Sequence, residues 1–137
     1  MKSHVEFTDE EFEQRFQNCL IEPEIFSHEA HLRLAWIHIK KYGSGIAIDT
    51  ICNQLKRYVE FLGVTDKYNE TVTVAAIKAV HHFILKTPTN SFTEFISENP
   101  RLKDNFKELL GHHYLTDIFN SQKAKEQYVE PELLPFD

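Results

Sequence analysis

The stretch Ser27-His28-Glu29-Ala30-His31-Leu32-Arg33-Leu34-Ala35-Trp36-Ile37-His38-Ile39-Lys40-Lys41-Tyr42-Gly43 reads as one helix with both ends marked. A serine hydroxyl accepts from the free amides of a first turn, so Ser27 is the expected cap, and Gly43 suits the left-handed closure of a last turn. At about 100° per residue with His31 as origin, Arg33 falls at about 200° and Lys40 at about 180°, which marks the expected solvent side. His38 then lies about 20° and His28 about 60° from His31, with Leu32, Leu34, Ala35 and Ile39 at flanking angles. The three imidazoles are therefore expected to face inward, and Glu29, at about 160°, to be wet.

Helical signals continue on both sides. Thr8-Asp9-Glu10-Glu11 is a capping box ahead of Phe12, Phe16 and Leu20, which predicts a first helix to about Leu20, before Pro23. Ile48, Ile51, Cys52, Leu55, Val59 and Leu62 recur at helical spacing and predict a third helix that begins around Ser44 to Ile46 and stops at Gly63. A fourth starts between Asp66 and Thr71 and runs to about Lys86, before Pro88. Shorter pieces follow: a capping box at Ser91-Phe92-Thr93-Glu94, a break at Asn99-Pro100, a segment from Leu102 to Leu110 closed by Gly111, and a last helix over Ser121 to Val129. Strand-like alternation is nowhere sustained. The expected class is all-α: a single-domain antiparallel bundle of about four longer helices, with short C-terminal helices packed across one end. It is expected to span residues 1–137, with 1–7 and 130–137 as extended termini.

With 137 residues, 42% apolar, eleven Phe and only four Gly and five Pro, the chain can bury a core without a disulfide or a structural metal. Its net charge of −6 is concentrated in Glu6, Asp9, Glu10, Glu11, Glu13, Glu22, Glu24 and Glu29. That first acidic stretch is read as a solvated face, or as a surface for a basic partner. Basic residues come singly or in pairs such as Lys40-Lys41 and Lys56-Arg57, so nucleic acid is not an expected partner. No run approaches the roughly 20 apolar residues of a membrane span, and the start lacks the apolar stretch of a signal peptide. The expected location is the cytoplasm, with no membrane partner and with Cys19 and Cys52 as thiols, Cys52 in the core.

On the fourth helix, Thr71, Lys78 and His82 mark the expected solvent side and leave Asn69, Thr73, Ala76 and Val80 facing the core, with Glu70 at the flank. If the N-terminal ends of the second and fourth helices adjoin, His28, His31, Tyr68, Asn69, Glu70 and Thr73 converge. His28-Glu29-Ala30-His31 is not the zinc protease motif, whose histidines stand four apart around a Glu. His81 and His82 lie about 100° apart on a helix and cannot serve one site. His112-His113-Tyr114, after Gly111, reads as loop, where function is disproportionately carried.

Phe26-Ser27-His28-Glu29-Ala30-His31-Leu32-Arg33-Leu34-Ala35 together with Tyr68-Asn69-Glu70-Thr71-Val72-Thr73 resembles an uncharacterised family of small bacterial helical proteins. The family pattern is Phe-Ser/Thr-His-x-x-His-Leu-x-x-Ala on one helix and Tyr-His-Glu-Thr-x-Thr at the start of another. His113-Tyr114-Leu115 and Tyr128-Val129-Glu130-Pro131 fit its later segments, so the likeness spans most of the chain. It implies no activity, but it singles out His28, His31, Tyr68, Glu70, Thr71 and Thr73. The chain departs at Asn69, where the family has His, and this weakens any metal or proton-transfer role that needs three imidazoles.

Three readings follow. The first is a small polar ligand held by His28, His31, Tyr68, Asn69, Glu70 and Thr73, with Glu70 as anionic anchor or base. The second is metal-dependent chemistry with His28, His31 and Glu70 as ligands to a divalent ion. The third is a non-catalytic interaction module in which the same residues form a structural hydrogen-bond network.

Overall fold

The computed structural model describes residues 3–136 and is all-α. Its helices are α1 (Asp9–Gln17), α2 (His28–Tyr42), α3 (Ser44–Leu62), α4 (Glu70–Lys86), α5 (Phe92–Glu98), α6 (Pro100–Asp104), α7 (Phe106–Gly111) and α8 (Gln122–Glu126). Single 3-10 turns stand at His4–Glu6 and Thr65–Lys67, and no strand occurs among the described residues. The caps act where the sequence marks them. Thr8 and Glu11 form a reciprocal capping box, Ser27 Oγ accepts from Ala30 N at 3.2 Å, and Asn69 Oδ1 accepts from Val72 N at 2.9 Å.

Several boundaries differ from expectation, among them the stretch from Leu102 to Leu110, which Asn105 divides into α6 and α7. Helix α1 ends at Gln17, not Leu20, because Cys19 takes a left-handed φ of 58° and the Leu20 amide turns back to Arg15 O at 2.7 Å. The N-terminal segment is not extended throughout: Ser3 and Glu6 make a second capping box around the His4–Glu6 turn. Helix α8 stops at Glu126, three residues short of Val129. The expectations for residues 1, 2 and 137 lie outside the described residues.

Packing divides the chain into two compact units, Met1–Tyr68 and Asn69–Asp137. In the first, α2 packs along α3, and α1 lies against both. Gly43 is the single residue between α2 and α3, with φ 87° and ψ 162°, a conformation essentially reserved for glycine. A Cβ there would meet nothing within 4 Å, so backbone conformation rather than crowding requires the glycine.

Every residue of α2 from Leu32 to Ile39 is buried, including His38 at 1% exposure. This overturns the expected solvent side at Arg33. The guanidinium is buried because the N-terminal segment folds over it and supplies its partners. Arg33 Nη1 donates to His4 O, Nη2 donates to Phe7 O at 2.7 Å and to Asp9 Oδ1 at 2.9 Å, and the group lies 5.1 Å from the Phe12 ring centre. His4 Nδ1 stands 3.3 Å from Arg33 Nη1, a nitrogen that can only donate, so the imidazole hydrogen sits on Nε2 and is given to Glu29 Oε2 at 2.6 Å. Glu29, expected to be wet, is thereby half-buried.

In the second unit α4 packs against α8, and α5, α6 and α7 follow one another with Asn99 and Asn105 at the breaks. Phe95, Leu102, Leu110 and Ile118 are buried within it. The segment after α8 has no regular structure but is tied down. Leu133 N donates to His113 O at 2.9 Å, and the Glu132 carboxylate accepts from Leu115 N and Thr116 N.

Candidate functional site

The six motif residues divide between the units: His28, His31 and Tyr68 belong to the first, and Asn69, Glu70 and Thr73 to the second. His28 and His31 are exposed, which corrects the expectation of inward-facing rings. With Arg33 buried, the wet side of the first turn of α2 is occupied by the histidines instead. His31 is nonetheless not a freely solvated base. One face of its ring lies on Phe26, 3.9 Å between centroids at 29°, and Phe26 stacks in turn on Phe16. Crowding by protein around the ring, and then the charge of His28, hold the His31 pKa below the ordinary imidazole value. Tyr68 is half-buried with the Lys56 ammonium 5.4 Å from its ring centre.

The Asn69–Thr73 end of the motif is spent on backbone. Asn69 caps α4 through Oδ1 and donates through Nδ2 to Ile118 O at 2.9 Å. Thr71, expected on the solvent side, is 0% exposed: its hydroxyl donates to Gln127 O at 2.7 Å and accepts from Val129 N at 3.0 Å. Thr73 Oγ1 donates to Asn69 O at 2.7 Å. This corrects the assignment of Thr71 to water. The angle shared with Lys78 and His82 does not put Thr71 in water, because the segment at the end of α8 and after it covers that face and supplies an acceptor and a donor there. Glu70 is half-buried. Among the described residues no group of three or more His, Cys, Asp or Glu is arranged to hold a metal ion, and neither unit alone contains the His28, His31 and Glu70 set.

His38 is the inward imidazole that the sequence predicted, and neither of its ring nitrogens has a hydrogen-bond partner among the described residues. Burial lowers its pKa, with Glu13 opposing and Lys41 reinforcing the shift. A histidine whose folded pKa lies below its unfolded value makes the folded state bind fewer protons, so its contribution is present above about pH 6.5 and lost as pH falls below it. Urea unfolding at about pH 7 and about pH 5 should therefore show acid destabilisation, smaller in His38→Leu than in wild type. His31 shifts in the same direction, so the loss is reduced rather than abolished. Equal acid loss in both proteins would clear His38 of this role.

A feature that the sequence did not assemble lies in the second unit. His82, Lys86, Arg101, His112 and His113 line one open cleft of about 390 Å³, and no acidic residue lines it. No protein-family model, curated protein or solved structure matches the chain.

Proposed function

We propose that this chain is a small non-catalytic binding domain for a polar ligand, in which the motif residues brace the fold instead of performing chemistry. The bracing role rests on the use of the Asn69 carboxamide and the Thr71 hydroxyl, both ends of each, on helix and loop backbone, and the binding role on the open cleft that no acidic residue lines. A side chain with its donor and acceptor both engaged inside the protein has little left to offer a substrate. In the first unit, His31 is stacked on Phe26 with its pKa held below the ordinary imidazole value, which suits a packing role better than proton transfer. We further place the protein in the cytoplasm of a bacterium, in keeping with the family resemblance; no helix of the described residues is long and apolar enough to cross a membrane.

The test is a thermal-shift screen of wild type and His28→Gln/His31→Gln against small anionic, cationic and neutral metabolites. A compound that binds the folded state raises the melting temperature by mass action. The expected result is at least one stabilising compound that stabilises the double variant equally. A compound whose effect disappears in the double variant would return the site to the histidines and overturn this reading.

A further inference from the structure

The cleft of the second unit is drawn from distant parts of the sequence: the end of α4 supplies His82 and Lys86, the start of α6 supplies Arg101, and the turn after α7 supplies His112 and His113. In a chain of net charge −6, this is a concentration of positive and protonatable groups without a lining carboxylate. Lys86 and Arg101 are both exposed, and neither forms an ion pair among the described residues. Two permanent cations that converge without a counter-charge raise the local potential and attract an anion, most strongly one with two charges.

The rest of the lining is apolar. Phe83, Leu109 and Phe136 contribute to the wall, and Leu134 joins them from the C-terminal segment. That segment is held in place at the cleft. His113 Nδ1 is 2.9 Å from Leu134 O and must donate to it, and the Phe136 ring stacks on the His113 ring at 4.2 Å and 18°. With Nδ1 committed to a carbonyl, Nε2 is the nitrogen that His113 keeps for another partner.

We propose that this cleft binds a small organic phosphate: a phosphomonoester whose anionic oxygens meet Arg101 and Lys86 and whose apolar body lies against Phe83 and Phe136. A guanidinium fork matches phosphate oxygens two at a time, and a lysine ammonium adds a point charge. The volume falls in the range of small-molecule sites, roughly 300–1,000 Å³. This inference rests on the reading of the chain as a ligand-binding domain and adds the place and the ligand class.

The experiment is a titration of the full chain with phenyl phosphate, followed by backbone amide shifts in nitrogen-proton correlation spectra, with inorganic phosphate and benzoate as parallel probes. Phenyl phosphate is expected to saturate in the millimolar range or below and to move amides of His82 to Lys86, Arg101, His112 and His113. Lys86→Gln/Arg101→Gln, which alters two exposed side chains, is expected to keep the wild-type spectrum elsewhere and to weaken binding by roughly tenfold or more, the effect of losing charge-assisted hydrogen bonds. Raised salt should weaken it as well. Absence of saturable shifts, shifts outside the cleft, or unchanged affinity in the double variant would overturn the site. Equal affinity for benzoate would overturn the phosphate assignment, and equal affinity for inorganic phosphate would overturn the apolar half. A wild type stabilised in the thermal screen by another compound, but silent toward phenyl phosphate, would sink this inference alone and leave the binding-domain reading standing.

Discussion

Arg33→Met is expected to lower the unfolding free energy by about 2–3 kcal/mol, among the largest effects of a single substitution in this protein. The methionine fills the stem's volume on Phe12 but returns nothing to Phe7 O or Asp9, and leaves His4 O with the Phe7 amide alone. Asp9 is about half exposed and returns to water, so the loss comes from the hydrogen bonds of the buried guanidinium to the N-terminal backbone. Arg33→Lys should recover only part of the loss, because an ammonium cannot present the planar fork that reaches a carbonyl and a carboxylate together. Urea unfolding of the three proteins checks both statements. Near-equal stability of Met and Arg would show that the guanidinium is a passenger, and that the N-terminal turn holds to α2 by its apolar contacts alone.

The second large effect is expected at Thr71. Thr71→Val keeps the shape of a fully buried side chain and deletes one hydroxyl, so Gln127 O loses a donor and Val129 N loses an acceptor. A loss of about 2–3 kcal/mol follows from two backbone groups left without partners, and thermal or urea unfolding measures it. Thr71→Ser should be milder, because the hydroxyl remains and only a methyl is removed. A valine variant as stable as wild type would mean that the segment after α8 does not depend on the hydroxyl.

The contrast between these two sites and the sequence reading is instructive. Local chemistry was legible: Thr8, Ser27, Asn69 and Gly43 announce helix ends through hydrogen bonds or backbone conformations that span only a few residues, and the ends form accordingly. Orientation was less so. Charged and hydroxyl side chains are usually exposed, but Arg33 and Thr71 are each buried by a segment distant in sequence that supplies their partners, residues 4–9 for Arg33 and 127–129 for Thr71. His28 and His31 are exposed although His38, at nearly the same angle as His31, is buried, so position along α2 rather than angle decides their exposure. His38 kept its predicted burial because Trp36, Ile37 and Ile39 around it are buried as well. The basic cleft was invisible for a related reason. His112-His113 reads as a loop and His82 as a surface position, but no spacing rule joins them to Lys86 and Arg101, whose meeting depends on tertiary packing.

Native-state hydrogen exchange at one amide shows most directly whether the Thr71 hydroxyl is a brace. In wild type the Val129 amide, which donates to Thr71 Oγ1, should exchange slowly, and in Thr71→Val it should approach the rate of an open chain while the amides in the middle of α4 stay protected. A Val129 amide that is equally protected in both proteins, or unprotected in both, would contradict the claim that this residue serves the fold.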